Sequence, residues 1–383
     1  MDYLYVVNAN KVFRKARTVE LSELLDGPIE IDKARQKKKM LRKKTSVYVK
    51  KVPKESTATL NPCRGQMRTL GLFQNYYLRY REQNPDYVKY KTYFIKKKSR
   101  GLRKIEEPHY HLKDLQRRVI DTFKNVLPAL RSSQAFAYAK GRRTKDALLR
   151  HTYNKSRWYL KLDIHNFFGT TTIDTIMSQL KKIHPFNVWI EEQPVLVKET
   201  LEKIFLNSDG VLPQGAPSSP DISNLIMIPF DYEMNKWCRE NHLIYTRYAD
   251  DMLISGRNGF KTRDVISKVT EIMRELGLRY ELNLDKTRYG SYKGKNFNLG
   301  LMCNGNFDIT IGHKRKKYFK AMLTRMIMAG NGYPSKQKRK LKGIYEYYKS
   351  IEPEYMAYLT GKYNQKFNVN LEELMKKNLY LAY

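Results

Sequence analysis

The sequence predicts an α+β fold, and three observations predict it. Stretches rich in β-branched and aromatic residues recur in the middle of the chain, segments of helical periodicity alternate with them, and helical stretches flank both. The most informative strands surround Tyr248-Ala249-Asp250-Asp251. Leu243-Ile244-Tyr245-Thr246-Arg247-Tyr248 reads as one strand and Met252-Leu253-Ile254-Ser255 as a second apolar run, which puts both aspartates at the tip of a buried hairpin. A turn made there without glycine implies backbone strain, which tends to collect at functional sites. Taken alone, an Asp-Asp pair is an ordinary turn.

The other elements follow in order. Residues 1–88 form a basic, weakly patterned extension with a cluster of positive charge at 33–44. Such runs are usually solvated faces or tails, and they also suit a phosphate backbone. A hairpin is expected over 93–108, with Gly101 turning the chain between a basic tip and Leu102-Arg103-Lys104-Ile105. Leu112, Leu115, Val119, Ile120, Phe123 and Leu127 then recur near helical spacing. Tyr159-Leu160-Lys161-Leu162-Asp163-Ile164 alternates as a strand and delivers Asp163 near its end. Helices are expected over 173–183 and 195–206, and one long helix over 218–237, opened by Pro220 and Asp221. From Lys314 on the chain reads as basic helices interrupted at Gly330-Asn331-Gly332-Tyr333-Pro334.

Composition narrows the partners. The 383 residues call for two or three substructures, and a hydrophobic content of 41% is enough for a core. Lysines and arginines number 73 against 38 acidic residues, a net charge of +35. Charge on that scale repels itself in a compact chain unless a polyanion neutralises it, and nucleic acid gains by releasing its counterions. The 29 tyrosines and 15 phenylalanines add stacking faces. Cys63, Cys238 and Cys303 show neither a disulfide framework nor zinc spacing, which suits a reducing cytoplasm. No leader peptide is recognised at Met1, and no run approaches the roughly 18 apolar residues of a membrane span. A soluble cytoplasmic protein with no membrane partner is expected.

The chemistry starts from Asp163, in Leu162-Asp163-Ile164-His165-Asn166-Phe167-Phe168. Adding a nucleotide to a growing strand uses two hard cations about 4 Å apart, one at the 3′-hydroxyl and one at the leaving pyrophosphate. Magnesium favours carboxylate and phosphate oxygens. One carboxylate from a strand and two from a neighbouring hairpin supply such a site, although Asp163 by itself reads equally as a helix cap. Successive strand residues face opposite sides, so Asp250 and Asp251 are expected to have unequal roles. Between them stands Leu212-Pro213-Gln214-Gly215-Ala216-Pro217-Ser218-Ser219-Pro220. Gly215 and Ala216 allow backbone to approach a ligand, and the two serines at a helix start can donate to phosphate or template. The plainer reading is a proline-rich loop capping a helix.

The order Asp163, Pro213-Gln214-Gly215, Tyr248-Ala249-Asp250-Asp251 resembles the palm of reverse transcriptases, and LPQGAPSSP with LIYTRYADD is similar to bacterial retron reverse transcriptases in particular. The resemblance covers roughly residues 93–365. It implies a right-hand polymerase with fingers at 89–160, an antiparallel palm at 161–302 carrying a fingers insertion near 175–210, and a helical thumb and tail at 303–383. It implies metal ligation by Asp163, Asp250, Asp251 and the neighbouring Ile164, with two Mg2+ ions for which Mn2+ can substitute. Phe168 matches the aromatic that excludes a ribose 2′-hydroxyl. Lys98, Arg100 and Arg103 match the fingers hairpin that meets the triphosphate, and an Arg fork suits phosphate. Gln214 and Gly215 match the nucleotide-tracking loop. Tyr248, Ser218, Leu299 and Gly300 fall along primer and template. Lys286, in Asn283-Leu284-Asp285-Lys286-Thr287, matches a lysine that can act as general acid beside the pyrophosphate. A surface charge explains Lys286 as well.

The implied partners are a structured noncoding RNA template, dNTPs, the RNA–DNA hybrid product and an effector protein encoded nearby, in a retron or another bacterial antiphage system. Lys314, Arg315, Lys316, Lys317 and Lys320 would meet the duplex. Two elements depart from the family. Its Val-Thr-Gly reads Asn298-Leu299-Gly300, and its Asn-Ala-x-x-His is stretched by one residue into Asp146-Ala147-Leu148-Leu149-Arg150-His151. Both are associated with handling the cognate RNA, so the departures concern the RNA partner and leave polymerase chemistry intact. A group II intron maturase is the runner-up, disfavoured because the sequence shows no nuclease or DNA-binding module after the thumb. A non-catalytic RNA-binding scaffold is disfavoured by the cost of keeping three clustered aspartates without metal.

Overall fold

A computed structural model describes residues 3–8, 48–53, 64–97, 101–293 and 299–376. The basic cluster at 33–44, Cys63, Lys98, Arg100 and Asn298 lie outside them. In chain order the strands are β1 Tyr3–Asn8, β2 Tyr48–Pro53, β3 Tyr90–Lys96, β4 Leu102–Pro108, β5 Trp158–Asp163, β6 Ile183–His184, β7 Leu243–Tyr248, β8 Asp251–Gly256, β9 Arg288–Ser291, β10 Met302–Cys303 and β11 Ile309–Thr310. The helices are α1 Arg64–Gln83, α2 Tyr110–Val126, α3 Thr144–Tyr153, α4 Phe167–Thr170, α5 Ile173–Leu180, α6 Phe186–Glu192, α7 Pro194–Phe205, α8 Ser219–Ile226, α9 Ile228–Glu240, α10 Thr262–Glu275, α11 His313–Ala329, α12 Ser335–Ile351, α13 Pro353–Phe367 and α14 Leu371–Lys376. No helix among the described residues is long and apolar enough to cross a membrane.

The centre is an antiparallel four-stranded sheet in the order β7-β8-β5-β9. Period-two alternation sorts its side chains between two cores. Leu160 and Leu162 of β5, with Met252 and Ile254 of β8, enter the larger core beside α2, α7, α8, α9 and α10. Tyr159 and Leu253, one residue out of phase, enter a second core built by α3 and the C-terminal helices. The sheet is thus buried on both faces over most of its length, and α10 shows the matching helical pattern, burying Val265, Val269, Ile272 and Met273. In the larger core the ring of Phe123 packs against Phe186, Trp189 and Phe205 at centroid distances of 5.0, 6.0 and 6.2 Å. Truncating such a ring costs about 3–5 kcal/mol.

Two stretches differ from the sequence reading. The helix expected over 218–237 is two helices, broken at Met227, whose backbone (φ −89°, ψ 1°) has left the helical region. Pro229 stands in the first turn of α9, where its missing N–H costs nothing, so the chain restarts a helix there. At the N-terminal side, α1 buries Leu70 and Tyr77 in the larger core, and β1 pairs in parallel with β6. By contrast, among the described residues β3 and β4 pair only with each other, and β3 is exposed along nearly its whole length.

Candidate active site

The three aspartates meet at one end of the central sheet. Asp163 ends β5 and stands opposite Asp251, the first residue of β8. Tyr248 is also opposite Asp251, which leaves Ala249 and Asp250 as a two-residue turn. Asp163, Asp251 and Tyr248 therefore share the face that carries Tyr159 and Leu253, toward the second core. The inequality of the two adjacent aspartates has a simple origin: Asp251 belongs to a strand and Asp250 to the turn. Ala249 adopts φ 59°, a left-handed conformation that is costly for a residue with a Cβ.

Backbone bonds pin this turn from the side. The Ile164 amide donates to the Asp250 carbonyl (3.1 Å), and the Asn283 amide donates to the carbonyl of Asp163 (2.8 Å). Ile164 itself is buried. From below, Arg247 is fully buried and grips Asp231 through two parallel bonds, Nε to Oδ1 at 2.8 Å and Nη2 to Oδ2 at 2.7 Å. Its remaining Nη1 donates to the Ala249 carbonyl (3.0 Å) and to Asn224 Oδ1 (3.2 Å). Tyr245 and Ser132 hydroxyls complete the shell of Asp231 at 2.8 and 2.6 Å. A buried ion pair with every lone pair satisfied fixes geometry more than it adds stability. The sequence reading passed over Arg247 and Asp231, since 16 residues separate them and nothing local pairs them.

Electrostatics sets the character of the site. Lys286 Nζ lies 2.9 and 3.2 Å from the two oxygens of the nearly buried Asp163 carboxylate. Lys161 Nζ lies 2.9 Å from Asp251 Oδ1; Lys161 is a third residue the sequence reading did not single out, although its place two residues before Asp163 puts it on the same strand face. Burial, then the neighbouring charge of Asp251 and Asp163, raises the Asp250 carboxyl above the usual range. Asp251 is raised as well, by burial first, with Lys161 opposing. Among the described residues no three His, Cys, Asp or Glu side chains converge closely enough to hold a metal ion. The donor set nevertheless fits a hard cation in chemistry: three carboxylates stand at one end of the sheet, near enough for the charges of Asp251 and Asp163 to raise Asp250, and two lysines supply the counter-charge.

The other expected residues fall around this end of the sheet. Phe168, half-buried, leans on Phe167 at 5.6 Å, and Phe167 packs in the core against Tyr280 at 5.0 Å. Leu299 and Gly300 are both left-handed (φ 53° and 78°). Leu299 lines a small cavity with Lys161, Thr246, Tyr248 and Asp251, while Arg315 donates to the Gly300 carbonyl. Lys316 is bound to Glu352 at 2.6 Å, so of the basic residues expected to meet a duplex, Arg315 and Lys316 make internal contacts and Lys314, Lys317 and Lys320 are exposed. Arg103 is exposed on β4, opposite Ile95, and Gly101 (φ 101°) closes the turn. Tyr138, 52% exposed and left-handed, lies where the charges of both Asp250 and Arg103 reach its hydroxyl.

The loop at 212–220 departs from expectation in two ways. The close approach at Gly215 is to protein: a Cβ there would sit 2.8 Å from the Glu106 carbonyl oxygen of β4, and φ is 129°. The Glu106 amide donates to the Gln214 carbonyl at 2.8 Å, so this loop is the seat of the β3–β4 hairpin. The serines do not present free hydroxyls to solvent. Ser219 donates to the Pro213 carbonyl at 2.8 Å, and Ser218 is 1% exposed.

Comparison with known proteins gives this geometry its context. Residues 95–329 match the reverse transcriptase (RNA-dependent DNA polymerase) family. The chain belongs to that family. It is 31% identical over 285 residues to the Retron Ec83 reverse transcriptase of Escherichia coli, covering 72% of this chain and 87% of that protein. The Retron Ec73 reverse transcriptase of the same organism is 25% identical over the same shares of each chain. The Retron Mx65 reverse transcriptase of Myxococcus xanthus is 28% identical over 75% of this chain and 66% of its own length. An apo telomerase structure from Candida tropicalis aligns with a TM-score of 0.40 and 14% identity over 82% of this chain and 66% of that one. The protein is a retron-type reverse transcriptase with a right-hand polymerase fold, an RNA-directed DNA polymerase of a family that uses divalent metal ions.

Proposed function

We propose that this reverse transcriptase copies a structured noncoding RNA of its own retron into DNA, with Asp163, Asp250 and Asp251 holding two Mg2+ ions. The observation that supports the reading is the register: Asp163 opposite Asp251, with Asp250 in the adjoining turn, all beside one end of a rigid sheet. When bound, two such ions activate the primer 3′-hydroxyl and neutralise the leaving pyrophosphate. Hard carboxylate oxygens favour Mg2+. Lys286, held beside Asp163, would protonate the departing pyrophosphate. Phe168 crowds the sugar and selects dNTPs, since the 2′-hydroxyl is what separates the two nucleotide classes. Arg103 takes the triphosphate from the hairpin, and Gln214 lies at the hairpin's seat. Tyr248, Leu299 and Gly300 line the primer side; Ser218, beneath the surface, is left out of this role.

In this reading residues 89–160 act as fingers, 161–302 as palm and 303–383 as thumb, with Lys314, Lys317 and Lys320 toward the hybrid. The test uses the purified full chain with its co-purifying RNA, labelled dNTPs and Mg2+. Wild-type protein is expected to make DNA and Asp250→Ala to make none. Equal labelling by the two would overturn the assignment.

A further inference from the structure

Helix α3 lies between the aspartate-bearing hairpin and the C-terminal helices, and its side chains reach both. His151 has no exposed surface. Its Nδ1 is 2.6 Å from Ser255 Oγ on β8, and its Nε2 is 2.8 Å from Thr246 Oγ1 on β7. One imidazole therefore spans the two strands whose connecting turn carries Asp250. Earlier in the same helix Lys145 donates to the carbonyl of Ile351 at the end of α12. Leu148, fully buried, packs into the second core with Leu253 of the sheet and Phe319 of α11.

Burial, with Arg150 adding to it, lowers the His151 pKa to about 3, so the ring is neutral, with one N–H and one lone pair. Ser255 donates its hydroxyl to Ser156 Oγ at 2.8 Å. Its oxygen is then left to accept from His151 Nδ1–H, and Nε2 accepts from the Thr246 hydroxyl. The four side chains thus form one hydrogen-bonded chain with a single proton order, from Thr246 through His151 and Ser255 to Ser156. A packing residue would not need that: an apolar side chain fills space without matching two hydroxyls on separate strands, and a half-satisfied polar group is worse than none.

We propose that His151 is a positioning residue for the polymerase reaction: it fixes β7 against β8 beneath the aspartate turn, and α3 ties that setting to the C-terminal helices. The element Asp146 to His151 resembles one associated with RNA handling. A ring with no exposed surface cannot touch RNA, so its histidine acts inside the protein. The inference rests on the proposed role of Asp250 and Asp251.

The experiment compares the full-length wild type with His151→Phe, which keeps a ring and removes both hydrogen bonds, and with the milder Thr246→Val. Each is assayed for single-nucleotide kcat and dNTP KM on an RNA template with a DNA primer, for affinity to that primer–template, and for thermal melting. The expected result is a kcat lowered at least tenfold in His151→Phe and less in Thr246→Val, with primer–template affinity within twofold of wild type. Combining the two substitutions should lower kcat no further than His151→Phe alone, because both cut one chain. Weakened primer–template binding at unchanged kcat would overturn the proposal in favour of RNA contact. A lowered melting temperature with unchanged kcat would overturn it in favour of a space-filling role. Asp250→Ala is run alongside: activity in that variant would defeat the underlying reading instead, and so is told apart.

Discussion

The central sheet and the β3–β4 hairpin carry the two halves of the proposed chemistry, and they are built on opposite principles. The sheet is buried on both faces, and its turn is held by the Arg247–Asp231 pair, the Ile164 amide and the His151 bridge. The hairpin has no sheet neighbour among the described residues, exposes Tyr93, Phe94, Ile95 and Leu102, and is seated through the Glu106–Gln214 backbone bond. Metal-holding groups need their positions fixed to within a fraction of an ångström, which favours rigid elements. Groups that meet a substrate from outside need reach and exposed charge. The contrast teaches that stability and turnover should respond to mutation in opposite proportions in the two regions.

The sharpest way to break the contrast is at Arg247. Arg247→Met leaves Asp231 buried without its partner, a loss of about 3–5 kcal/mol. Urea unfolding should show the unfolding free energy fall by that amount, with the midpoint shifted down accordingly, or the chain fail to fold. A midpoint near wild type would mean that the buried pair does not hold the turn.

Asp250→Asn should separate function from stability. A carboxyl whose pKa is raised in the folded protein binds its proton more tightly there than in the unfolded chain. The folded state therefore loses stability as pH rises through the raised pKa, and at neutral pH the full deficit is present. Asn removes the charge, so the inactive variant should melt above wild type at pH 7 to 8. The gap should close as pH falls below the ordinary aspartate range, about 3.9. Melting curves across pH decide this, and a variant less stable than wild type at neutral pH would contradict the burial and crowding that raise Asp250.

The smallest structural effect belongs to Arg103→Ala. An exposed hairpin residue should change stability by no more than about 0.5 kcal/mol, while losing a charge-assisted contact to triphosphate should raise dNTP KM by about tenfold. Steady-state kinetics and melting on the same preparation test both halves.

Much of this architecture was legible in the sequence, for physical reasons that also mark where legibility stopped. The hairpin around Asp250 and the strand ending at Asp163 could be read because alternation and β-branching are local signals. Pairing Asp163 with Asp251 took the fold, because register between strands 88 residues apart is a tertiary fact. The break at Met227 was missed because residues 218–237 look continuously helical, and only Pro229 hints at a restart. Gly215 was expected to let backbone approach a ligand, but the backbone it meets is that of Glu106, and no single-chain pattern names a partner more than a hundred residues away. Lys161 and Arg247 were hidden in plain strand sequence, since a charged residue on an alternating strand looks like the solvent face until the opposite layer is known.

Ala249 carries one more consequence. A left-handed residue between Tyr248 and Asp250 makes position 249 a narrow gate for drift. Glycine would enter that conformation without a steric penalty, at an entropic cost in the unfolded chain. A β-branched side chain would strain the turn that carries Asp250. Libraries that randomise this protein for heat tolerance or altered substrate range should return very small residues at 249 far more often than at its neighbours.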